Sequence, residues 1–139
     1  MATSREPSSR TCDALRVIAV DDRAHFRALL RRLIDATPGF EVVDEAGTGE
    51  RAVAAVRKHH PDLVLMDIDM PGVDGIEATR SIKRELPSTV VVLVSATHPD
   101  DLPSKQDVRV ADAIVWKPRL RPALIEKIWR RCGAAPASA

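Results

Sequence analysis

Asp21 and Asp22, Asp67, Ser95 and Lys117 each close a short apolar run, and together they offer three carboxylates, a hydroxyl and an ammonium. Clustered carboxylates attract a hard divalent cation, which prefers oxygen ligands. The ammonium and the hydroxyl can hold an oxyanion, lysine acting there as a point charge. A site that binds both at once suits phosphoryl transfer, in which positioning and charge stabilisation carry the reaction. Each residue taken alone has a plainer use: an Asp pair after a strand caps a helix readily, and a lone Asp before a turn serves the turn. Their joint order and placement at strand ends carry the chemical reading.

The elements that must position them are legible as alternating apolar runs and amphipathic stretches. Val17-Ile18-Ala19-Val20, Leu63-Val64-Leu65-Met66, Val90-Val91-Val92-Leu93-Val94 and Ala113-Ile114-Val115-Trp116 read as buried strands. Strands are expected near 16 to 21, 40 to 46, 62 to 67, 89 to 95 and 113 to 116. Helices are expected near 23 to 36, 48 to 59, 74 to 86, 100 to 111 and 119 to 132. Apolar residues follow helical spacing at Phe26, Leu29, Leu30, Leu33 and Ile34, at Ile76, Thr79, Ile82 and Leu86, and at Leu120, Leu124, Ile125 and Ile128. The fourth helix is expected to be short or mobile, because Pro99 and Pro103 confine it and Val108 and Val110 alternate like a strand. Alternation of this kind predicts a doubly wound α/β fold, a parallel sheet with helices on both faces. Ligands of such sheets bind beyond the carboxyl ends of the strands, where the polar residues stand.

The stretch from Pro61 to Gly75, PDLVLMDIDMPGVDG, resembles the phosphoacceptor segment of the receiver domain of two-component response regulators almost throughout. The similarity runs from about Arg16 to Cys132 and keeps the order acidic pair, acceptor Asp, hydroxyl, then Lys117-Pro118. The resemblance implies a five-stranded flavodoxin-like sheet of order 2-1-3-4-5. It implies phosphorylation of Asp67, Mg²⁺ held by Asp21, Asp22, Asp67 and the backbone carbonyl of Asp69, and phosphoryl contacts from Ser95 and Lys117. Asp21 is expected to act through water. Asp69 and Thr97 border the phosphoryl site and are expected to tune the rates of phosphate gain and loss. Receivers usually carry an aromatic switch residue three before the Lys; here that position is Ile114, so the usual aromatic rotamer switch is not expected. The response is instead expected as backbone motion over residues 96 to 118.

The 139 residues fit one domain of ordinary size. Residues 1–13 and 133–139 read as disordered tails flanking a receiver over 14–132. Lys and Arg number 21 against 20 Asp and Glu, a formal charge of +1, which gives no strong attraction to nucleic acid or membrane. Cys12 and Cys132 form neither a disulfide framework nor a metal-binding spacing. His25, His98, His59 and His60 are read as cap or loop residues, and Trp116 and Trp129 as packing residues. With no signal peptide and no apolar run of about 20 residues, the expected compartment is the cytoplasm.

The expected function is that of a switch without turnover of an external substrate. A sensor histidine kinase or phosphotransfer protein donates the phosphoryl group, and the phosphorylated form changes affinity for a protein target. Direct DNA binding is not expected, and a homodimer would form through the fourth helix, fifth strand and fifth helix. The strand at Phe40 and the approach at Leu86-Pro87-Ser88 look similar to receivers that precede helix-turn-helix output domains, so the chain is either a free-standing receiver or a piece of something longer. Two other readings compete. Asp67-Ile68-Asp69 resembles the nucleophile and acid pair of haloacid-dehalogenase-type phosphatases, and a receiver-like module that is no longer phosphorylated would serve only for interaction.

Overall fold

The computed structural model describes residues 14–70, 74–102 and 107–133. Strands β1 (Leu15–Val20), β2 (Phe40–Ala46), β3 (Leu63–Asp67), β4 (Val90–Ser95) and β5 (Ala113–Trp116) alternate with helices α1 (Ala24–Asp35), α2 (Gly49–His59), α3 (Gly75–Glu85) and α4 (Pro122–Cys132). The strands form one parallel sheet in the order β2-β1-β3-β4-β5. Successive side chains of a strand point to opposite faces, and both faces here are buried. Ile18, Val20, Val64, Met66, Val91 and Leu93 pack with Ala52 and Val56 of α2 and Ile76 and Ile82 of α3. Val17, Ala19, Leu63, Leu65, Val92 and Val115 pack with Leu30 and Ile34 of α1 and Ile125 of α4. Each fully buried aliphatic side chain contributes about 1.5–3 kcal/mol, so these two layers, rather than the polar sheet edge, dominate stability.

The helices start and stop for local reasons. Thr48 caps α2 by accepting from the Arg51 N–H at 3.1 Å, and Asp74 caps α3 by accepting from the Glu77 N–H at 2.9 Å. His60, with φ of 47°, takes the left-handed position that ends α2. Among the described residues no helix is long and apolar enough to cross a membrane.

Two expectations need correction. In place of a helix near 100 to 111, the described residues form two single 3₁₀ turns, Pro99–Asp101 and Val108–Val110, and positions 103 to 106 lie outside the described residues. The β-branched Val108 and Val110 pack against the α2/α3 core layer, so burial rather than helical propensity sets their conformation. Leu29, assigned to the apolar face of α1, is 48% exposed. His98 keeps its reading as a cap or loop residue: its Nδ1 accepts from the Asp100 N–H at 3.1 Å, and its ring meets Trp116 edge-on, centroids 5.1 Å apart. The segments expected as tails, 1–13 with Cys12 and 133–139, lie outside the described residues except for Gly133.

Candidate functional site

The parallel register sets the carboxyl ends of three neighbouring strands side by side. Val20 is level with Met66, so Asp21 follows β1 where Asp67 ends β3, and Asp67 is level with Val94, one residue before Ser95. Ser95 is level with Trp116, which places Lys117 just beyond it. Carboxylate oxygens of Asp21, Asp22 and Asp67 come within 4.8 Å of one another. Asp21 and Asp67 are buried, whereas Asp22 is exposed.

Both oxygens of the Asp21 carboxylate are engaged. Oδ1 accepts from the Arg23 N–H at 2.9 Å, and Oδ2 accepts from Lys117 Nζ at 3.2 Å. Neither member of the acidic pair is the cap of α1, whose cap position is Arg23. Asp67 differs: Oδ1 lies 3.5 Å from Lys117 Nζ, while Oδ2 is buried without a hydrogen-bond partner among the described residues. Burial pushes the Asp67 carboxyl up to about 6, the Asp21 charge adds to the rise, and Lys117 and the backbone of Asp69 draw it partly back. An under-satisfied buried carboxylate beside two more carboxylates is what a bound cation would relieve, so the donor set fits a hard divalent ion.

Lys117 reaches the site from the end of β5, its side chain only 11% exposed and its ammonium 4.2 Å from the centre of the Phe26 ring. The Ser95 hydroxyl is buried but turned into its own loop, donating to the Thr97 carbonyl at 2.8 Å and accepting from the Thr97 N–H at 3.0 Å. Asp69 and Thr97 are exposed. Ile114 stands away from the carboxylates, half-buried against the α2/α3 core layer and level with Leu93. Trp116 donates from Nε1 to the Ala96 carbonyl at 3.2 Å, tying β5 to the loop after Ser95.

Three neighbours of the site escaped sequence reasoning. Phe26 was read only as part of a helix face. Arg27 holds the Asp21 carbonyl at 2.7 Å, a contact no spacing announces. Gly75 opens α3 against the end of β3, where a Cβ would stand 2.2 Å from the Asp67 carbonyl; a glycine eight residues after the candidate nucleophile was the available signal.

Fold and site together define a known class: residues 17–129 match the response regulator receiver domain, and the chain belongs to that family. The transcriptional regulatory protein DegU of Brevibacillus brevis is 42% identical over 87 residues, 63% of this chain and 36% of the relative. A protein-glutamate methylesterase/protein-glutamine glutaminase of Alkalilimnicola ehrlichii is 42% identical over 84 residues, 60% of this chain and 22% of that protein. The solved structure of the response regulator protein TrrA from Thermotoga maritima in complex with Mg(2+)-BeF superposes with a TM-score of 0.70 at 31% identity, covering 84% of this chain and 97% of that one. The chain thus spans well under half the length of these two curated relatives. Family membership sets aside the phosphatase reading of Asp67-Ile68-Asp69.

Proposed function

We propose that the receiver unit over residues 14–132 takes a phosphoryl group onto Asp67 from a phosphohistidine of a sensor histidine kinase or phosphotransfer protein. A carboxylate oxygen of Asp67 attacks phosphorus; the P–N bond breaks, and its electron pair leaves with the imidazole, which is then protonated. Asp22, Asp67 and the Asp69 carbonyl would hold Mg²⁺ directly. Asp21 would act through water, since Arg23 and Lys117 already occupy its oxygens. When bound, Mg²⁺ supplies the positive charge that lets an anionic phosphoryl group approach an anionic nucleophile. Lys117 shifts from its two carboxylates toward the phosphoryl oxygens, and the exposed Asp69 and Thr97 tune how fast phosphate is gained and lost.

Ser95 supplies the conformational link. Its hydroxyl reaches the phosphoryl group only by releasing Thr97, which moves Ala96 and loosens the carbonyl that Trp116 holds. Ile114 is β-branched and restricted at χ1, so the response passes through the loop backbone to β5 and α4 rather than through a ring flip. A protein target reads that face. The TrrA structure is in complex with Mg(2+)-BeF, and relatives named for transcriptional regulation and for methylesterase activity fit one input to different outputs. We assign this chain the switch step; an attached output of either kind would act through the same face.

The observation that carries the reading is the buried, half-satisfied Asp67 carboxylate within reach of Lys117. Intact-mass measurement after incubation with acetyl phosphate and Mg²⁺ should show one adduct on the wild type and none on Asp67→Asn. An undiminished adduct in that variant would mean another nucleophile. Asp22→Ala should weaken Mg²⁺ binding by calorimetry at least as much as the roughly 10–100-fold that an outer-shell change costs, and equal affinities would remove Asp22 from the ligand set.

A further inference from the structure

We propose that Phe26 is the positioning residue for Lys117: its ring face holds the ammonium poised between Asp21 and Asp67 and thereby sets affinity for a tetrahedral oxyanion such as a phosphoryl group. The proposal rests on the phosphoacceptor reading and adds a residue to it.

The ammonium has three neighbours of two kinds. It lies 3.2 Å from Asp21 Oδ2, 3.5 Å from Asp67 Oδ1 and 4.2 Å from the Phe26 ring centre. Lysine loses as much rotamer freedom as any side chain when it is fixed, and its compact charge has no preferred direction. Held by charge alone, it would settle on the nearer carboxylate, and Asp21 is immobile, fixed through Arg23 and Arg27. A ring face attracts the cation without accepting a directed hydrogen bond. The N–H groups therefore stay available to an incoming oxyanion, which a third carboxylate would not permit.

The ring is well fixed for this task. Phe26 lies in the first turn of α1, its N–H bonded to the Arg23 carbonyl at 3.1 Å, and the helix is anchored in the core by Leu30 and Ile34. Phe26, Leu30, Leu33, Lys117 and Leu120 line a groove of about 210 Å³, so the lysine stem runs along apolar surface. Partial exclusion of water there puts the cation–π attraction toward the strong end of its range.

The test separates holding the charge from filling space. In the wild type, NMR should show the ε-methylene protons of Lys117 displaced upfield by the ring current; Phe26→Leu should abolish the displacement and Phe26→Tyr retain it. With Mg²⁺ saturating, Phe26→Leu should bind beryllofluoride about tenfold more weakly, Phe26→Tyr should restore binding, and affinity for Mg²⁺ alone should stay within about twofold. A normal methylene shift in the wild type overturns the proposal. So does equal beryllofluoride binding by the Leu and Tyr variants, or a parallel loss of Mg²⁺ and beryllofluoride affinity. Wild-type protein that binds no beryllofluoride at all sinks the phosphoacceptor reading and this proposal's function with it, while the methylene shift separately decides whether the ring holds the ammonium.

Discussion

The two edges of the sheet use the same residue types to opposite ends. At the amino-terminal edge Asp62, Asp112 and Lys83 are each tied to backbone. Asp62 accepts from the Arg16 N–H at 2.9 Å, and Asp112 Oδ2 accepts from the Val91 N–H at 2.8 Å and from Lys83 at 2.9 Å. Lys83 also donates to the carbonyls of Pro87 and Thr89, and Thr89 donates to the Pro61 carbonyl. At the carboxyl-terminal edge Asp67 keeps one oxygen without a partner among the described residues, Asp22 is exposed, and Lys117 is shared between two carboxylates. A buried polar group with its partners fixes a strand in place, whereas one left short of partners raises the energy of the resting state and can respond to a ligand. One edge holds the sheet and the other is left to react.

The largest expected effect breaks this contrast at its reactive side. The Asp67 carboxyl titrates at about 6 in the folded chain against an ordinary 3.8. The fold thus keeps a proton that the unfolded chain has lost, so this group's contribution is most favourable below about pH 4, declines as pH rises toward 6 and stays lost above it. At 1.36 kcal/mol per unit the deficit is about 3 kcal/mol at neutral pH. Asp67→Asn, unfolded by urea in the presence of a chelator, should exceed the wild type by about that much at pH 7.5, with the gap closing toward pH 4. A gap independent of pH would mean that the buried charge is not its source. Saturating Mg²⁺ should narrow it by stabilising the wild type alone.

The opposite edge supplies a smaller effect with the reverse signature. Asp112→Ala removes the acceptor of the Val91 N–H and one of three acceptors of Lys83. A stranded buried donor costs about 1–3 kcal/mol, so stability in urea should fall by about 2 kcal/mol with phosphoryl uptake unchanged. Loss of uptake in a variant that is still folded would show the two edges to be coupled.

Legibility in the sequence divides along similar lines. Apolar runs flanked by turn residues were enough to place the strands and the residues at their carboxyl ends, because burial on both faces leaves a periodic record. The segment after β4 left a poorer one: Pro99, Pro103, Val108 and Val110 carry conflicting preferences, and tertiary burial decided in favour of two short turns. Side-chain contacts across the sheet edge were the least legible. Phe26 had the right spacing for a core position and gave no hint that its ring would face Lys117, and Arg27 reaches a backbone carbonyl that any residue at position 21 would offer. Ser95 was identified by type, but its bonds to Thr97 depend on a loop conformation that no residue pattern specifies.

The smallest effect sharpens the account of how the reactive edge moves. Trp116 Nε1 donates to the Ala96 carbonyl, and that bond belongs to the arrangement in which the Ser95 hydroxyl faces Thr97. Trp116→Phe keeps an aromatic ring against His98 and deletes only the donor. A partly exposed bond of this kind contributes about 0.5 kcal/mol, so global stability should change little. Removing it raises the resting arrangement relative to the one in which Ser95 meets the phosphoryl group, and a ligand gains apparent affinity when the state that excludes it is disfavoured. Beryllofluoride with Mg²⁺ should therefore bind the variant about twofold more tightly by calorimetry, the factor that 0.5 kcal/mol represents. Weaker binding would mean that the Trp116 bond survives phosphorylation, and the loop after Ser95 would then have to move as one piece with β5.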